Sequence, residues 1–162
     1  MTELWRKSAQ EMVGLLKAGE IRPSEAIDIA AERIEETDGA VNAMVTCCFE
    51  RAHKHAAHLE AEGHPNDPGA GYLYGLPISV KDLAHVEGVL CTEGSPIYKD
   101  RISTESDLMV KTLEANGAIV IGKSNTPEFG AGANTFNEVF GATRNPWDTR
   151  MNAGGSSGGA AV

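Results

Sequence analysis

The chain has 162 residues, 41% of them hydrophobic, which is enough to bury one ordinary core and predicts a single globular unit rather than a disordered tail. Its formal net charge is −9, from 23 acidic against 14 basic residues, and without any Lys/Arg run this argues against nucleic acid as a direct partner. No stretch is long and apolar enough for a signal peptide or a membrane span, so a cytoplasmic protein is the simplest interpretation.

Three amphipathic helices are predicted in the N-terminal third of the chain. Apolar residues at helical spacing predict a first helix over 2–18, which Gly19 ends. Ser24 has the features of an N-cap for a second helix, which Gly39 would end. A third helix would stop at Gly63 and present one apolar face. The residues of that face are Phe49, Ala52, Ala56 and Leu59.

The cysteines and histidines of the chain do not have the spacing of disulfide or metal sites. The cysteines are Cys47, Cys48 and Cys91. Their number is odd and the first two are adjacent in a stretch predicted as helical, so we interpret them as reduced packing residues. The histidines of the HKHAAH segment lie at positions 53, 55 and 58. They lack the i, i+4 spacing that places two imidazoles on one helix face, so we expect a solvated face and no metal.

The character of the sequence changes after the third helix. Residues 63–75 contain four glycines and two prolines, which predicts a loop. Two short apolar runs, LPISV at 76–80 and AIVI at 118–121, predict buried strands. A helix between them would be capped by Ser106 or Asp107. Its inward face would contain Met109, Val110 and Leu113. This order predicts an α/β fold with parallel strands and a right-handed crossover.

A lysine follows each predicted strand, at the end of the sheet where ligands usually bind. Lys81 follows LPISV and Lys123 follows AIVIG. A lysine at a strand end is usually a surface charge. Lys81, however, continues an apolar strand without a solvent break, which favours a desolvated amine. Desolvation lowers the pKa of lysine and would allow it to act as a general base.

The segment NAGGSSGGAAV at 152–162 surrounds two serines with four glycines. Glycines permit backbone conformations in which N–H groups converge beside accessible serines. A flexible linker and a phosphate cradle are alternatives, although a Walker loop would require a lysine that this segment lacks. GAGANT at 130–135 lacks the third glycine of a dinucleotide-binding fingerprint. From the residues alone, Ser/Lys nucleophilic chemistry stands as one hypothesis beside these alternatives.

Three segments carry a resemblance to a known family. GLPISVKDLAHVEG, TLEANGAIVIGKSNTPEFGAGANTFNEVFGATRNPWD and NAGGSSGGAA resemble, in order and at matching intervals, the amidase signature family of serine hydrolases. The likeness covers about Ser24 to Val162. It implies an α/β/α layered fold with a mixed sheet, of which residues 1–162 are the N-terminal part of a single domain. That part would comprise a helical segment 1–62, a loop 63–75 and the start of the α/β core 76–162.

The resemblance also implies site residues, because the family uses a Ser-Ser-Lys triad without histidine. Lys81 matches the triad lysine, and Ser156 matches the bridging serine with its cis peptide bond. The loop residues matched to substrate binding are Gly154, Gly155 and Ser157. Lys123 is then not the base, and its KSNTPEF segment would shape the floor of the substrate cleft. The nucleophilic serine of the family lies in a GGS segment beyond Val162, so we expect these 162 residues alone to be inactive.

The implied function is hydrolysis of the C–N bond of a small carboxamide through an acyl-enzyme, with no cofactor. One alternative is a glutamine-hydrolysing subunit of a tRNA-dependent amidotransferase, and the partners left open are a second copy of the chain or the other amidotransferase subunits. Others are a truncated, non-catalytic fragment and a naturally short binding or regulatory module whose helices associate with a partner. The apolar stripe of the first helix, with Trp5 and Leu16, would supply that interface.

Overall fold

The computed structural model describes residues 4–162. Its helices are α1 (Ala9–Ala18), α2 (Pro23–Val41), α3 (Phe49–Glu62), α4 (Leu108–Ala115) and α5 (Gly158–Ala161). Its strands are β1 (Met44–Cys47), β2 (Pro77–Lys81), β3 (Ile119–Ser124), β4 (Phe136–Asn137), β5 (Gly141–Ala142), β6 (Arg144–Asn145) and β7 (Asp148–Asn152). Short 3-10 turns lie at Leu4–Arg6, Pro96–Tyr98 and Glu128–Gly130. None of the helices within this range has the length and apolar character required to cross a bilayer.

The first helix begins later than predicted because Ser8 caps it. Ser8 Oγ accepts a hydrogen bond from the amide of Glu11 at 3.3 Å, and the Glu11 carboxylate accepts one from the amide of Ser8 at 2.8 Å. This reciprocal pair is a capping box, which fixes the start of α1 at Ala9. Gly19 ends the helix in a left-handed conformation, as predicted. The predicted helical residues 2–3 lie outside the described residues.

The second helix begins at Pro23, so the prediction of Ser24 as its N-cap is wrong. Arg22 occupies the N-cap position in an extended conformation. The side chain of Glu25 accepts a hydrogen bond from the amide of Arg22 at 2.8 Å. Proline fits the first helical position because its missing N–H would have no intrahelical partner there.

The second helix also continues through Gly39, which was predicted to end it. Asn42 adopts the left-handed conformation instead, with φ 54°, and terminates the helix. Asp38 Oδ1 then accepts hydrogen bonds from the amides of Ala43 at 2.7 Å and Met44 at 2.9 Å. These bonds turn the chain directly into β1.

The adjacent cysteines lie at the junction of β1 and α3 rather than inside a helix. Cys47 is the last residue of β1 and is exposed, whereas Cys48 precedes α3. Cys48 Sγ donates to the carbonyl of Val120 at 3.4 Å, and burial raises its pKa to about 11. Cys91 is fully buried. All three thiols are free, but the prediction of a packing role is wrong for the exposed Cys47.

The central sheet has the strand order β1-β3-β2 and is mixed. β2 and β3 are parallel, which confirms the prediction from their order along the chain, and β1 is antiparallel to β3. β1 was not predicted and lies within the stretch expected to be helical. All six residues of β3 are buried, so this central strand is covered on both faces.

Helices and a long loop cover the two faces of the sheet. On one face Ile119 and Ile121 pack against residues of α2 and α3, among them Ile27, Ala52 and Ala56. On the other face Val120 packs against Val80, Val86, Val89 and Val110.

Val110 is the inward residue of α4, as predicted, but Met109 is 52% exposed. Asp107 is the N-cap residue of α4, whereas Ser106 Oγ accepts from the amide of Glu87.

The apolar stripe of the first helix is largely internal. Leu16 is fully buried in a cluster with Met12, Ala26 and Tyr74. Trp5 lies before α1 and is 40% exposed. Leu16 therefore packs inside the chain and is not available for the partner interface that was predicted for this stripe.

Two short hairpins lead from β3 to the glycine-rich segment. β4 pairs with β5 and β6 pairs with β7, both antiparallel. The turn of the second hairpin carries Trp147, whose side chain is 94% exposed. An isolated bridge between Asn134 and Gly154 then sets the start of the serine segment against the loop before β4.

Candidate active site

Lys81 ends β2 and its side chain reaches the serine segment after β7. Lys81 Nζ donates to Ser156 Oγ at 2.8 Å and to Ser157 Oγ at 3.2 Å. Ser156 is half-buried and Ser157 is exposed. Burial lowers the pKa of Lys81, which favours the neutral amine that can accept a proton. The structure thus brings together the lysine and both serines singled out in the sequence.

The serine segment is held against the loop 131–135 by hydrogen bonds on both sides of Ser156. The amide of Gly155 donates to the carbonyl of Ala133 at 2.6 Å. Thr135 Oγ1 donates to the carbonyl of Gly154 at 2.8 Å and accepts from the amide of Gly158 at 2.9 Å. The peptide bond between Gly155 and Ser156 is cis, as the family resemblance implies.

Gly154 and Gly155 were predicted to contact substrate, and the structure places them in different surroundings. The N–H of Gly155 already donates to the carbonyl of Ala133, so Gly155 would line a substrate site without donating a hydrogen bond to the substrate. A Cβ atom at Gly155 would lie 2.6 Å from the carbonyl oxygen of Gly132, whereas one at Gly154 would have no neighbour within 4 Å. Their substrate contacts remain a prediction.

This difference predicts that two neighbouring substitutions change the free energy of unfolding by different amounts. Gly155→Ala is expected to lower the free energy of unfolding by about 1–3 kcal/mol, because the new methyl group meets backbone that cannot move aside cheaply. Gly154→Ala, the matched control, should change it by less than about 0.5 kcal/mol. Urea unfolding midpoints measure both. Equal stability of the two variants would contradict the close packing described for Gly155.

Lys123 lies apart from the serines, in a fully buried ion pair. Lys123 Nζ donates to Asp82 Oδ1 at 3.1 Å, and the two side chains are 0% and 1% exposed. The Asp82 carboxylate also accepts from the hydroxyl of Thr92 at 2.5 Å and from its amide at 3.2 Å. Asp82 and Thr92 were missed in the sequence, although a lysine inside an apolar run requires a buried counter-charge.

Residues 123–127 of the KSNTPEF segment form a buried polar platform that contacts the serine segment, whereas Glu128 and Phe129 are exposed. Asn125 Oδ1 accepts from Asn137 Nδ2 at 2.7 Å, and Asn137 Nδ2 also donates to the carbonyl of Thr126 at 2.8 Å. Thr126 Oγ1 donates to the carbonyl of Ser156 at 3.4 Å. Thr126, Asn137 and Thr135 were missed because loop residues carry no hydrophobic period. The role of this segment as the cleft floor remains a prediction.

The histidines of α3 face acidic side chains rather than one another. His53 Nε2 lies 3.1 Å from Asp28, His58 Nε2 lies 3.4 Å from Glu62, and His55 Nδ1 lies 3.8 Å from Glu114. Residues 4–162 contain no group of three or more His, Cys, Asp or Glu side chains arranged to hold a metal ion.

Comparison with known proteins gives a consistent set of relatives. The model of the Amidase family matches residues 25–162. The chain is 36% identical to a glutamyl-tRNA(Gln) amidotransferase subunit of Chlamydia felis, over 98% of this chain and 32% of that protein. The chain therefore spans about a third of the length of the curated relatives it matches.

Solved structures of similar fold include two informative cases. A bacterial aryl acylamidase of the amidase signature enzymes aligns with a TM-score of 0.85 and 34% identity, over 96% of this chain and 32% of that chain. The corresponding glutamyl-tRNA(Gln) amidotransferase subunit of Thermotoga maritima aligns with a TM-score of 0.74 and 27% identity, over 96% of this chain and 31% of that chain. Their fold agrees with the mixed α/β architecture described above.

Proposed function

We propose, since this chain belongs to the amidase family, that the whole protein cleaves a carboxamide C–N bond through an acyl-enzyme. The observation that carries the proposal is the 2.8 Å hydrogen bond between Lys81 Nζ and Ser156 Oγ. A lysine whose pKa is lowered by burial then contacts a hydroxyl that can pass on a proton. We further propose that residues 1–162 form the N-terminal part of one larger amidase domain, given that they match about a third of each relative.

In this mechanism neutral Lys81 accepts the proton of Ser156, and Ser156 accepts that of the nucleophilic serine, which the resemblance places beyond Val162. A serine hydroxyl can bridge in this way because it donates one hydrogen bond and accepts others. The nucleophile attacks the amide carbon, and the proton returns through Ser156 to the leaving nitrogen as the C–N bond breaks. Water then hydrolyses the acyl-enzyme by the same proton path.

Glutamine is the amide best supported by the comparisons. Relatives that are glutamyl-tRNA(Gln) amidotransferase subunits reach 36% identity over 159 residues and 42% over 131 residues. On this basis we propose a subunit that releases ammonia from glutamine for partner subunits acting on tRNA. The aryl acylamidase structure at 34% identity supports the other candidate, a stand-alone amidase of small amides.

One experiment tests the function and separates the two candidates. The protein from the complete reading frame would be purified from its native source and assayed with glutamine and with a panel of aryl and aliphatic amides. Co-purifying subunits together with glutamine turnover would support the amidotransferase. Turnover of simple amides without partners would support the stand-alone amidase. Absence of turnover on every substrate, with and without partners, would refute the hydrolase proposal.

The pH dependence follows from the burial of Lys81. Because only the neutral amine accepts a proton, kcat/KM should rise with pH through the pKa of Lys81 and fall as the pH is lowered. Burial lowers that pKa, so the midpoint should lie below the ordinary lysine value of about 10.4. A pH profile of kcat/KM, restricted to the range where the protein stays folded, measures it. A profile that does not rise with pH would contradict the role of Lys81 as base.

A further inference from the structure

We propose that the buried pair of Asp82 and Lys123, together with Thr92, positions Lys81 and the serine segment relative to one another. This inference rests on the proposed function, because it assigns these residues a role in the same site. None of the three contacts the serines, so they are positioning residues and act through the backbone on either side.

Burying the charges of Asp82 and Lys123 has a large desolvation cost. Both charges are removed almost completely from water, and apolar residues of similar volume often stabilise such a site equally well. The Asp82 carboxylate nevertheless collects three donors, namely Lys123 Nζ and the amide and hydroxyl of Thr92. Such a convergent set fixes directions as well as distances, which a packed apolar side chain does less strictly.

On the side of the base, the pair fixes the backbone that carries Lys81. Asp82 directly follows Lys81, and its amide donates to the carbonyl of Ser124 at 2.9 Å. The carbonyl of Lys81 accepts from the amide of Ala84 at 2.9 Å. Two hydrogen bonds thus connect the end of β2 to β3. One joins the amide of Asp82 to the carbonyl of Ser124, and the other joins the side chains of Lys123 and Asp82.

On the side of the serine, the pair reaches the platform through Thr92. Thr92 Oγ1 accepts from the amide of Gly94 at 3.0 Å, and the carbonyl of Glu93 accepts from the amide of Phe129 at 2.8 Å. A Cβ atom at Gly94 would lie 3.1 Å from the carbonyl oxygen of Thr126, so the two segments touch. Thr126 Oγ1 in turn lies 3.1 Å from the carbonyl oxygen of Pro127 and 3.4 Å from that of Ser156, so this side of the site contacts the serine segment.

Asp82 therefore stands at the centre of a network of hydrogen bonds and packing contacts that reaches both partners of the Lys81 to Ser156 contact. A shift of about 1 Å between catalytic groups costs about 10²-fold in rate. Loosening this network should accordingly lower kcat, while substrate binding is left largely intact.

The test is a set of three variants of the whole protein: Lys123→Met, Asp82→Asn and the double variant. Lys123→Met leaves the Asp82 carboxylate buried without its cation and should lower both Tm and kcat. The double variant contains no unpaired buried charge, so its Tm should recover. Its kcat should stay lowered by about 10-fold or more with KM nearly unchanged. Recovery of kcat together with Tm would show a merely structural role and overturn the inference.

A matched control and a second readout separate this outcome from failure of the proposed function. The half-buried pair of Arg51 and Glu114, whose atoms lie 2.6 Å apart, joins α3 to α4 away from the serines, and its double variant Arg51→Met/Glu114→Gln should keep the wild-type kcat. Crystal structures of the Asp82/Lys123 double variant should show Lys81 Nζ and Ser156 Oγ farther apart than about 3.5 Å. An unchanged separation would overturn the inference even if the wild-type protein hydrolysed no amide.

Discussion

Lys81→Ala is expected to lower kcat/KM of the whole protein by about 10³-fold, within the range typical for loss of a general base. The reason is geometric, since among residues 4–162 Lys81 is the amine that donates to the serine pair, at 2.8 Å and 3.2 Å. A methyl group at this position neither accepts the proton of Ser156 nor fixes its hydroxyl. Steady-state kinetics on the substrate identified for the protein measure the effect.

Lys54→Ala is the matched control for this substitution. Lys54 is exposed on α3 and pairs with Glu50, so its loss should leave kcat/KM within about 2-fold of wild type. Lys123→Ala should lower activity less than Lys81→Ala does, because Lys123 contacts Asp82 rather than the serines. The reverse ranking of Lys81 and Lys123 would show that the base has been assigned to the wrong strand end.

Ser156→Ala is expected to lower kcat by about 10²–10³-fold, whereas Ser157→Ala should cost less than about 10-fold. Ser156 makes the shorter bond to Lys81 and is half-buried. Ser157 makes a longer bond and is exposed. In the proposed mechanism, removal of the Ser156 hydroxyl interrupts the proton path between Lys81 and the nucleophile, while removal of the Ser157 hydroxyl leaves that path in place.

The pair of serine variants is best measured together with covalent labelling. A fluorophosphonate probe, which reacts with activated serines, should label the wild-type protein at a serine other than Ser156 or Ser157, as peptide mapping would show. Labelling should be slowed by Ser156→Ala and little affected by Ser157→Ala. A label found on either of these two serines would reverse the roles proposed for them.

Local sequence patterns predicted the parts of the fold that depend on local physics. The parallel pairing of β2 with β3 followed from two apolar runs joined by a helix, and Gly19 and Gly63 end their helices as glycines commonly do. The wrong predictions for α2 concern positions where two nearby residues can each cap the same helix. Glu25 bonds to the amide of Arg22 and moves the start of α2 away from Ser24.

The strand β1 and the serine contact were beyond local patterns for a different reason. β1 is four residues long and acquires its conformation by pairing with β3, more than seventy positions later in the chain. Lys81 and Ser156 are separated by 75 positions, so no spacing rule connects them. The residues alone left their association as one hypothesis among several, and the family resemblance singled it out. The Asp82 partner of Lys123 lay beyond both routes, because a buried carboxylate reads in sequence as an ordinary surface charge.

The exposed indole of Trp147 can serve as a fluorescence probe of the candidate site. The chain has two tryptophans, and they differ sharply in environment. Trp5 lies beneath the guanidinium groups of Arg6 and Arg33, at 4.5 Å and 4.1 Å, whereas Trp147 is 94% exposed in the hairpin that precedes the serine segment. Acrylamide quenching of the Trp147 fluorescence, obtained as the difference between the protein and its Trp147→Phe variant, would therefore report the solvent access of that hairpin, and it would fall when a polypeptide binds beside the serine segment.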